Sequence, residues 1–133
     1  MTHQARKSRF THQRLDAYRV AIELFRGVEE LAARFPRGHA DLKDQLRRAA
    51  AATVRHIAEG ANRMHHADKA ARFLVARGEC AECDAALEMA ELSGVAASAD
   101  VDQLRGFADR VAAMLLGLVR REHAKAGRPP LLS

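Results

Sequence analysis

The chain of 133 residues has no tryptophan, one tyrosine and five phenylalanines, so aromatic side chains contribute little to its core. It has only three prolines, and it lacks the alternating β-branched runs that are typical of strands. These absences predict an all-α fold with an aliphatic, alanine-rich core. A chain of this length forms one domain that needs neither disulfides nor metals for stability.

Long apolar runs are also missing. No segment approaches the ~20 apolar residues that span a bilayer, and the polar, basic N-terminus does not resemble a secretory signal. We therefore expect a cytoplasmic protein with reduced thiols. Cys80 and Cys83 lack the second cysteine pair of common zinc sites, and His56, His65 or His66 would have to complete the ligand set. We expect two buried thiols that behave as small hydrophobic side chains, and neither a metal nor a cofactor.

Positive charge exceeds negative charge. The sequence has 22 Lys and Arg against 17 Asp and Glu, a net charge of +5 with a pI of about 9.9. Such a balance favours association with polyanions such as RNA, DNA or acidic lipid. Because aromatic residues are scarce, nucleic-acid binding is expected to use the phosphate backbone with weak sequence selectivity.

The most informative segment reads QLRRAAAATVRHIAEGANR and runs from Gln45 to Arg63. Its four consecutive alanines make a narrow helix that neighbouring helices can approach closely. Gly60 costs helix stability, about 1 kcal/mol relative to alanine, so we expect another helix to pack against its backbone. Arg48, Arg55 and Arg63 advance by seven and eight residues along one side of the helix. They must face water, acidic partners or phosphate.

Apolar side chains recur at spacings of three and four through four segments, which predicts helices over about 15–35, 39–64, 68–93 and 100–125. Short connections make consecutive helices antiparallel, so we predict an up-down-up-down four-helix bundle. The bundle is expected to span 14–125, between a flexible basic arm at 1–13 and a disordered tail at 126–133.

Two finer predictions concern the third and fourth helices. Asp100 with Gln103 has the spacing of a capping box at the start of the fourth helix. The apolar residues predicted to face inward from the third helix are Ala70, Phe73, Leu74, Cys80, Ala81, Leu87 and Leu92.

Four sequence elements carry a family likeness: FP at 35–36, QLRRAA at 45–50, IAEG at 57–60, and RFL…ARG…AE within 72–82. Through them the chain resembles the four-helix-bundle proteins encoded in 23S rRNA intervening sequences. That family is similar in fold to the accessory variability proteins of diversity-generating retroelements. The resemblance implies a non-enzymatic bundle that assembles as a homopentameric ring with basic surfaces, in which Gln45, Glu59 and Gly60 are motif residues. The chain departs from the family at His56, where relatives carry asparagine.

Charge and resemblance together predict a nucleic-acid-binding surface for RNA or DNA. Its expected residues are basic and lie on the second to fourth helices: Arg47, Arg48, Arg55, Arg63, Arg72, Arg77, Arg120, Arg121 and Lys125. An alternative interpretation is a solvated face in which Glu59 pairs locally with Arg55 and Arg63. The cations near the C-terminus could equally complement a helix dipole.

Two other functions are alternatives to nucleic-acid binding. One is a protein-interaction adaptor, such as an accessory subunit of a retroelement reverse transcriptase. The other is an enzyme, because His56 and Glu59 lie about one helical turn apart, like an acid/base pair. No nucleophile motif, glycine-rich phosphate loop or second matched carboxylate accompanies them, so we predict that the protein is not an enzyme.

Overall fold

The computed structural model describes residues 10–127, and within that range the chain folds as an antiparallel bundle of four α-helices. A short 3₁₀ helix, Thr11–Arg14, is followed by α1 (Asp16–Ala33), α2 (Ala40–Ala61), α3 (His66–Leu92) and α4 (Ser98–Lys125). Each helix packs on the next, and α4 closes the bundle against α1. The predicted all-α four-helix bundle is confirmed. Residues 1–9 of the expected arm and 128–133 of the expected tail lie outside the described range.

Turns and helix starts follow local backbone chemistry. Gly38 and Gly94 have φ values of 94° and 75°, a conformation that glycine adopts without strain, where the chain reverses after α1 and α3. The capping box predicted at Asp100 is wrong, because α4 begins at Ser98 and its N-cap makes no side-chain hydrogen bond. The Asp100 carboxylate instead accepts a hydrogen bond of 3.2 Å from Arg34, at the end of α1.

The core is aliphatic and alanine-rich, as the composition predicts. Its largest fully buried side chains are aliphatic and come from all four helices: Leu24, Leu46, Ile57, Leu87 and Leu115. Cys80 and Cys83 are buried beside them as free thiols, which confirms the expectation for both. Thr53 is also fully buried, and its hydroxyl donates to the carbonyl of Ala49 at 2.8 Å, so no polar group is stranded there.

Close contact between α2 and α3 explains Gly60. A Cβ added to Gly60 would lie 2.8 Å from two ring atoms of Phe73 and 3.2 Å from the Cβ of Arg72. Phe73 is 2% exposed, so its ring has little room to move. The predicted close approach of another helix to the Gly60 backbone is therefore confirmed, and Phe73 makes it.

The buried side of α3 is narrower than the sequence prediction. Leu74 and Leu92 were expected inside, but their exposed fractions are 41% and 81%, and Ala81 is also exposed. The other predicted inward residues, Ala70, Phe73, Cys80 and Leu87, are buried, so the prediction is confirmed for these four and wrong for Leu74, Ala81 and Leu92. Because α3 carries apolar residues on both sides, periodicity could not decide which side faces the core.

Charged residues are distributed along every helix of the bundle. No helix within residues 10–127 has an apolar stretch long enough to cross a membrane.

We expect Gly60→Ala to lower the free energy of unfolding by about 1–3 kcal/mol, because the new methyl group overlaps the confined Phe73 ring. Urea denaturation followed by circular dichroism measures this change. Gly106→Ala is the matched control, since a Cβ at Gly106 meets nothing within 4 Å. That control should raise stability by up to about 1 kcal/mol through helix propensity. Equal or higher stability of Gly60→Ala would contradict the contact.

Candidate nucleic-acid interface

Two of the predicted interface cations are held by partners on neighbouring helices. Arg47 donates two hydrogen bonds to the carboxylate of Glu29 on α1, at 2.9 and 3.1 Å, and this pairing raises the pKa of Arg47. Arg77 donates through Nε to the carbonyl of Ala112 on α4 at 3.2 Å. A phosphate would have to compete with these contacts, so both side chains serve helix packing first.

Glu59 links α2 to α3. Its carboxylate lies 3.7 Å from Nε of Arg72 on α3 and 3.7 Å from Nδ1 of His56 one turn earlier. Arg55 and Arg63, which could have paired with Glu59 along α2, make no ion pair within 4 Å in the described part of the chain. Glu59 thus forms an ion pair with a third predicted cation, Arg72.

The middle of α2 borders a groove that contains both charge signs. Arg48 and Gln45 line it from α2, and Glu79, Glu82 and Met89 line it from α3, around a volume of about 370 Å³. Burial and the neighbouring Glu82 raise the pKa of Glu79. Two carboxylates beside Arg48 disfavour a phosphate here, so this groove is a weaker polyanion site than the sequence predicts.

One end of the bundle collects five of the nine predicted cations, whereas the exposed Arg55 lies on α2 just outside that end. At this end α2 and α4 finish while α1 and α3 begin, as two contacts demonstrate. The backbone N–H of Thr11 donates to Oδ1 of Asn62 at 3.2 Å, which joins the 3₁₀ helix to the end of α2. His66 at the start of α3 hydrogen-bonds Glu122 in the last turn of α4.

We define this basic end as residues 10–20, 56–72 and 115–127. This end contains eight cations and only four carboxylates. The cations are Arg14, Arg19, Arg63, Lys69, Arg72, Arg120, Arg121 and Lys125. Five of the seven histidines of the chain lie here too. Five predicted residues, Arg63, Arg72, Arg120, Arg121 and Lys125, are therefore brought to the same end by the fold.

The opposite, acidic end comprises residues 28–45 and 86–104. It has eight carboxylates and three cations. All 17 carboxylates of the chain lie within 10–127, whereas four of the 22 cations, Arg6, Lys7, Arg9 and Arg128, lie outside that range. The described bundle thus has only one more cation than carboxylates. Its charge is separated between its ends rather than spread evenly.

Arg14 and Lys69 belong to the basic end but were not among the predicted residues. Arg14 and Arg121 line a groove of about 430 Å³, with Met114 and Leu118 on its apolar side. Lys69 donates to the carbonyl of Ala61 at 2.7 Å and so caps α2. The antiparallel order of the helices was the signal that could have placed both residues at this end.

Cys80 and Cys83 are both buried between the helices as free thiols. Cys80 donates through Sγ to the carbonyl of Ala108 at 3.3 Å. Burial raises the pKa of Cys80 to about 11 and that of Cys83 to about 12. Among residues 10–127, no group of three His, Cys, Asp or Glu side chains is arranged to hold a metal ion.

The chain matches known proteins in sequence and in fold. The model of a family described as 23S rRNA-intervening sequence protein matches residues 13–117. No curated protein sequence matches the chain. A crystal structure of a protein with unknown function from the S23 ribosomal protein family of Bacteroides thetaiotaomicron is similar, with a TM-score of 0.73 and 13% identity. The similarity covers 78% of this chain and 98% of that one, and at this identity it shows a shared fold.

We expect both thiols to resist alkylation in the folded protein at mildly alkaline pH, because alkylation requires the thiolate and burial disfavours it. Mass spectrometry after iodoacetamide treatment measures the labelling. In denaturant, both cysteines should react rapidly, which serves as the control. Rapid labelling of the native protein well below pH 11 would contradict the burial of Cys80.

Proposed function

The chain belongs to the 23S rRNA-intervening sequence protein family, and we propose that it is a non-enzymatic protein whose basic end binds the phosphate backbone of RNA. The family description supports a context that involves RNA. The separation of charge along the bundle is the observation that carries the proposal.

Both ends of the described chain emerge at the basic end. Residue 10 precedes the 3₁₀ helix there, and residue 127 follows α4 there. The cations outside the described range, Arg6, Lys7, Arg9 and Arg128, are therefore covalently attached to the end that is already basic. These four cations are next in sequence to an end that already has eight cations and four carboxylates, which supports docking of a polyanion there.

The acidic end is too distant to oppose that docking. α4 has 28 residues, which corresponds to about 42 Å of helix. Electrostatic interactions in physiological salt are screened over about 8 Å, so RNA at the basic end is insensitive to carboxylates at the other. Antiparallel helix dipoles largely cancel at each end, so side chains provide the attraction.

Binding at this end is expected to follow charge more than sequence. Among residues 10–127, the large aromatic side chain that is exposed is Phe10, at 57%. Its ring stacks on that of His12, with the two ring centroids 5.9 Å apart. A set of aromatic rings for stacking several bases is not present between residues 10 and 127. RNA would be held through its phosphates. A comparison with DNA of equal charge tests whether the basic end prefers RNA to DNA.

Three finer features remain predictions. They are the homopentameric ring and the partnership with a reverse transcriptase that would make the protein an adaptor, together with the cytoplasmic location, which comes from the polar N-terminal sequence rather than from the resemblance. A ring would repeat the basic end around its axis, so weak phosphate contacts from several subunits would together increase the affinity for one RNA.

Replacing Arg63, Arg120 and Arg121 by glutamine should weaken RNA binding and flatten its salt dependence. Fluorescence anisotropy with a labelled single-stranded RNA, measured over a series of salt concentrations, gives the slope of log K against log salt. We expect the slope to decrease by about 2, since each phosphate contact contributes about 0.7 for single strands. Circular dichroism verifies that the variant remains helical.

The matched control replaces Arg34, Arg37 and Lys43 by glutamine, which removes the same charge from the acidic end. This variant should bind RNA almost as the original chain does. Equal weakening by both triple variants would mean that net charge alone acts, and it would overturn the assignment to the basic end. Failure of the original chain to bind RNA at low salt would overturn the proposed function.

A further inference from the structure

Asn62, the C-cap residue of α2, engages both ends of its side-chain amide. Its Nδ2 donates to the carbonyl of Ala58 at 2.8 Å, and its Oδ1 accepts from the backbone N–H of Thr11 at 3.2 Å. Nδ2 also lies 2.8 Å from Nδ1 of His12. One side chain thus joins the 3₁₀ helix to the last turn of α2.

The two backbone partners fix which way the Asn62 amide points. A backbone N–H only donates and a carbonyl only accepts, so Oδ1 must face Thr11 and Nδ2 must face Ala58. The opposite orientation would set two donors together at Thr11 and two acceptors together at Ala58. Because Nδ2 is a donor, Nδ1 of His12 must be the acceptor of the contact between them. His12 is therefore neutral in this arrangement, with its proton on Nε2.

The surroundings of His12 also favour the neutral ring. The ring stacks on Phe10, and it meets the ring of Tyr18 on α1 edge to face, with the centroids 4.6 Å apart. Nε2 of His12 lies 3.3 Å from the side-chain amide of Gln13, a group that can donate or accept. Burial lowers the pKa of His12. Packing and hydrogen bonding thus act in the same direction.

No carboxylate stands ready to stabilise a proton on His12. The 3₁₀ helix packs on α1 and α2, and the charged residues nearest in sequence to the contact are Arg14, Asp16, Arg19, Glu59 and Arg63. Within residues 10–127 none of them forms an ion pair with His12 within 4 Å; Asp16 pairs with Arg19, and Glu59 pairs with Arg72. A proton on Nδ1 would set an N–H group against the amide hydrogens of Asn62, so the contact would become repulsive.

We propose that the contact between His12 and Asn62 is a proton-operated latch, which holds residues 10–14 on the end of α2 while His12 is neutral and releases them when it is protonated. Since docking requires the neutral ring, the docked segment is fully stable above the ordinary pKa of histidine, about 6.5, and loses stability as the pH falls below that value. The inference is independent of RNA binding, because it concerns contacts within the chain.

The latch decides where the preceding chain is attached to the bundle. That chain carries Arg6, Lys7 and Arg9. With the latch closed, the attachment point is residue 10, and with the latch open it is residue 15. Five released residues extend the reach of these cations by about 17 Å.

Quenching of tyrosine fluorescence by acrylamide tests the latch. The chain has one tyrosine and no tryptophan, so its emission comes from Tyr18, which His12 contacts. Acrylamide is uncharged, so it measures how accessible Tyr18 is at any pH. The quenching constant of the original chain should rise about two-fold between about pH 7.5 and pH 5.5, as the hydrogen bond is lost and the segment undocks.

Two variants identify the histidine that acts. His12→Ala should give a high quenching constant at both pH values. The matched control is His65→Gln, which replaces an exposed histidine at the same end whose side chain makes no capping hydrogen bond, and it should keep the rise. Circular dichroism verifies that both variants remain helical. A constant that does not change with pH in the original chain, or an equal rise in His12→Ala, would overturn the latch.

Asn62→Asp distinguishes the latch from a contact that is only structural. A carboxylate at this position still accepts from Thr11, but it attracts the protonated ring of His12. The pKa of His12 should therefore rise above its ordinary value, and the segment should dock more tightly as the pH falls. Nitrogen-15 NMR of the ring gives both the pKa and the tautomer. A neutral His12 with its proton on Nδ1 in the original chain, or an unreversed pH dependence in Asn62→Asp, would contradict the proposal.

Discussion

The close approach of α2 and α3 is the constraint on which the rest of the structure depends. Gly60 has no side chain, so the ring of Phe73 packs directly against the backbone of α2. This contact, with alanines along α2, sets the distance between the two helices. It also fixes the rotation of α3, which places Cys80 and Leu87 inside and leaves Leu74 outside. The core and the α2–α3 groove both follow from that rotation.

The distribution of charge follows from the antiparallel order of the helices. Residues that are far apart in sequence, such as Arg63 and Arg121, come to the same end because α2 and α4 run in the same direction. The carboxylates near the start of α2 and α4 collect at the opposite end for the same reason. A bundle with almost balanced charge can therefore present a strongly basic surface at one end, while its sides remain available for other contacts.

Ion pairs between helices show why individual basic residues could not be assigned from the sequence. Arg47 and Glu29 are 18 positions apart, and they meet because α1 and α2 pack in one register. Arg105 likewise donates to Asp84 on α3 at 2.8 and 3.2 Å. Spacing along a single helix favours an ion pair of Glu59 with Arg55 or Arg63, but the arginine found within 4 Å of Glu59 is Arg72 on the neighbouring helix α3.

The sequence by itself determined the fold class, the four helices and the aliphatic core. Apolar residues that recur at spacings of three and four positions reflect the geometry of one helix at a time. It also identified Gly60 as a point of close contact, because a glycine inside an otherwise strongly helix-forming segment indicates that another element packs against its backbone. Only the tertiary structure decided which side of α3 faces inward and which carboxylate neutralises which guanidinium. Both depend on the rotation and register of helices relative to one another, and short-range spacing carries no information about either.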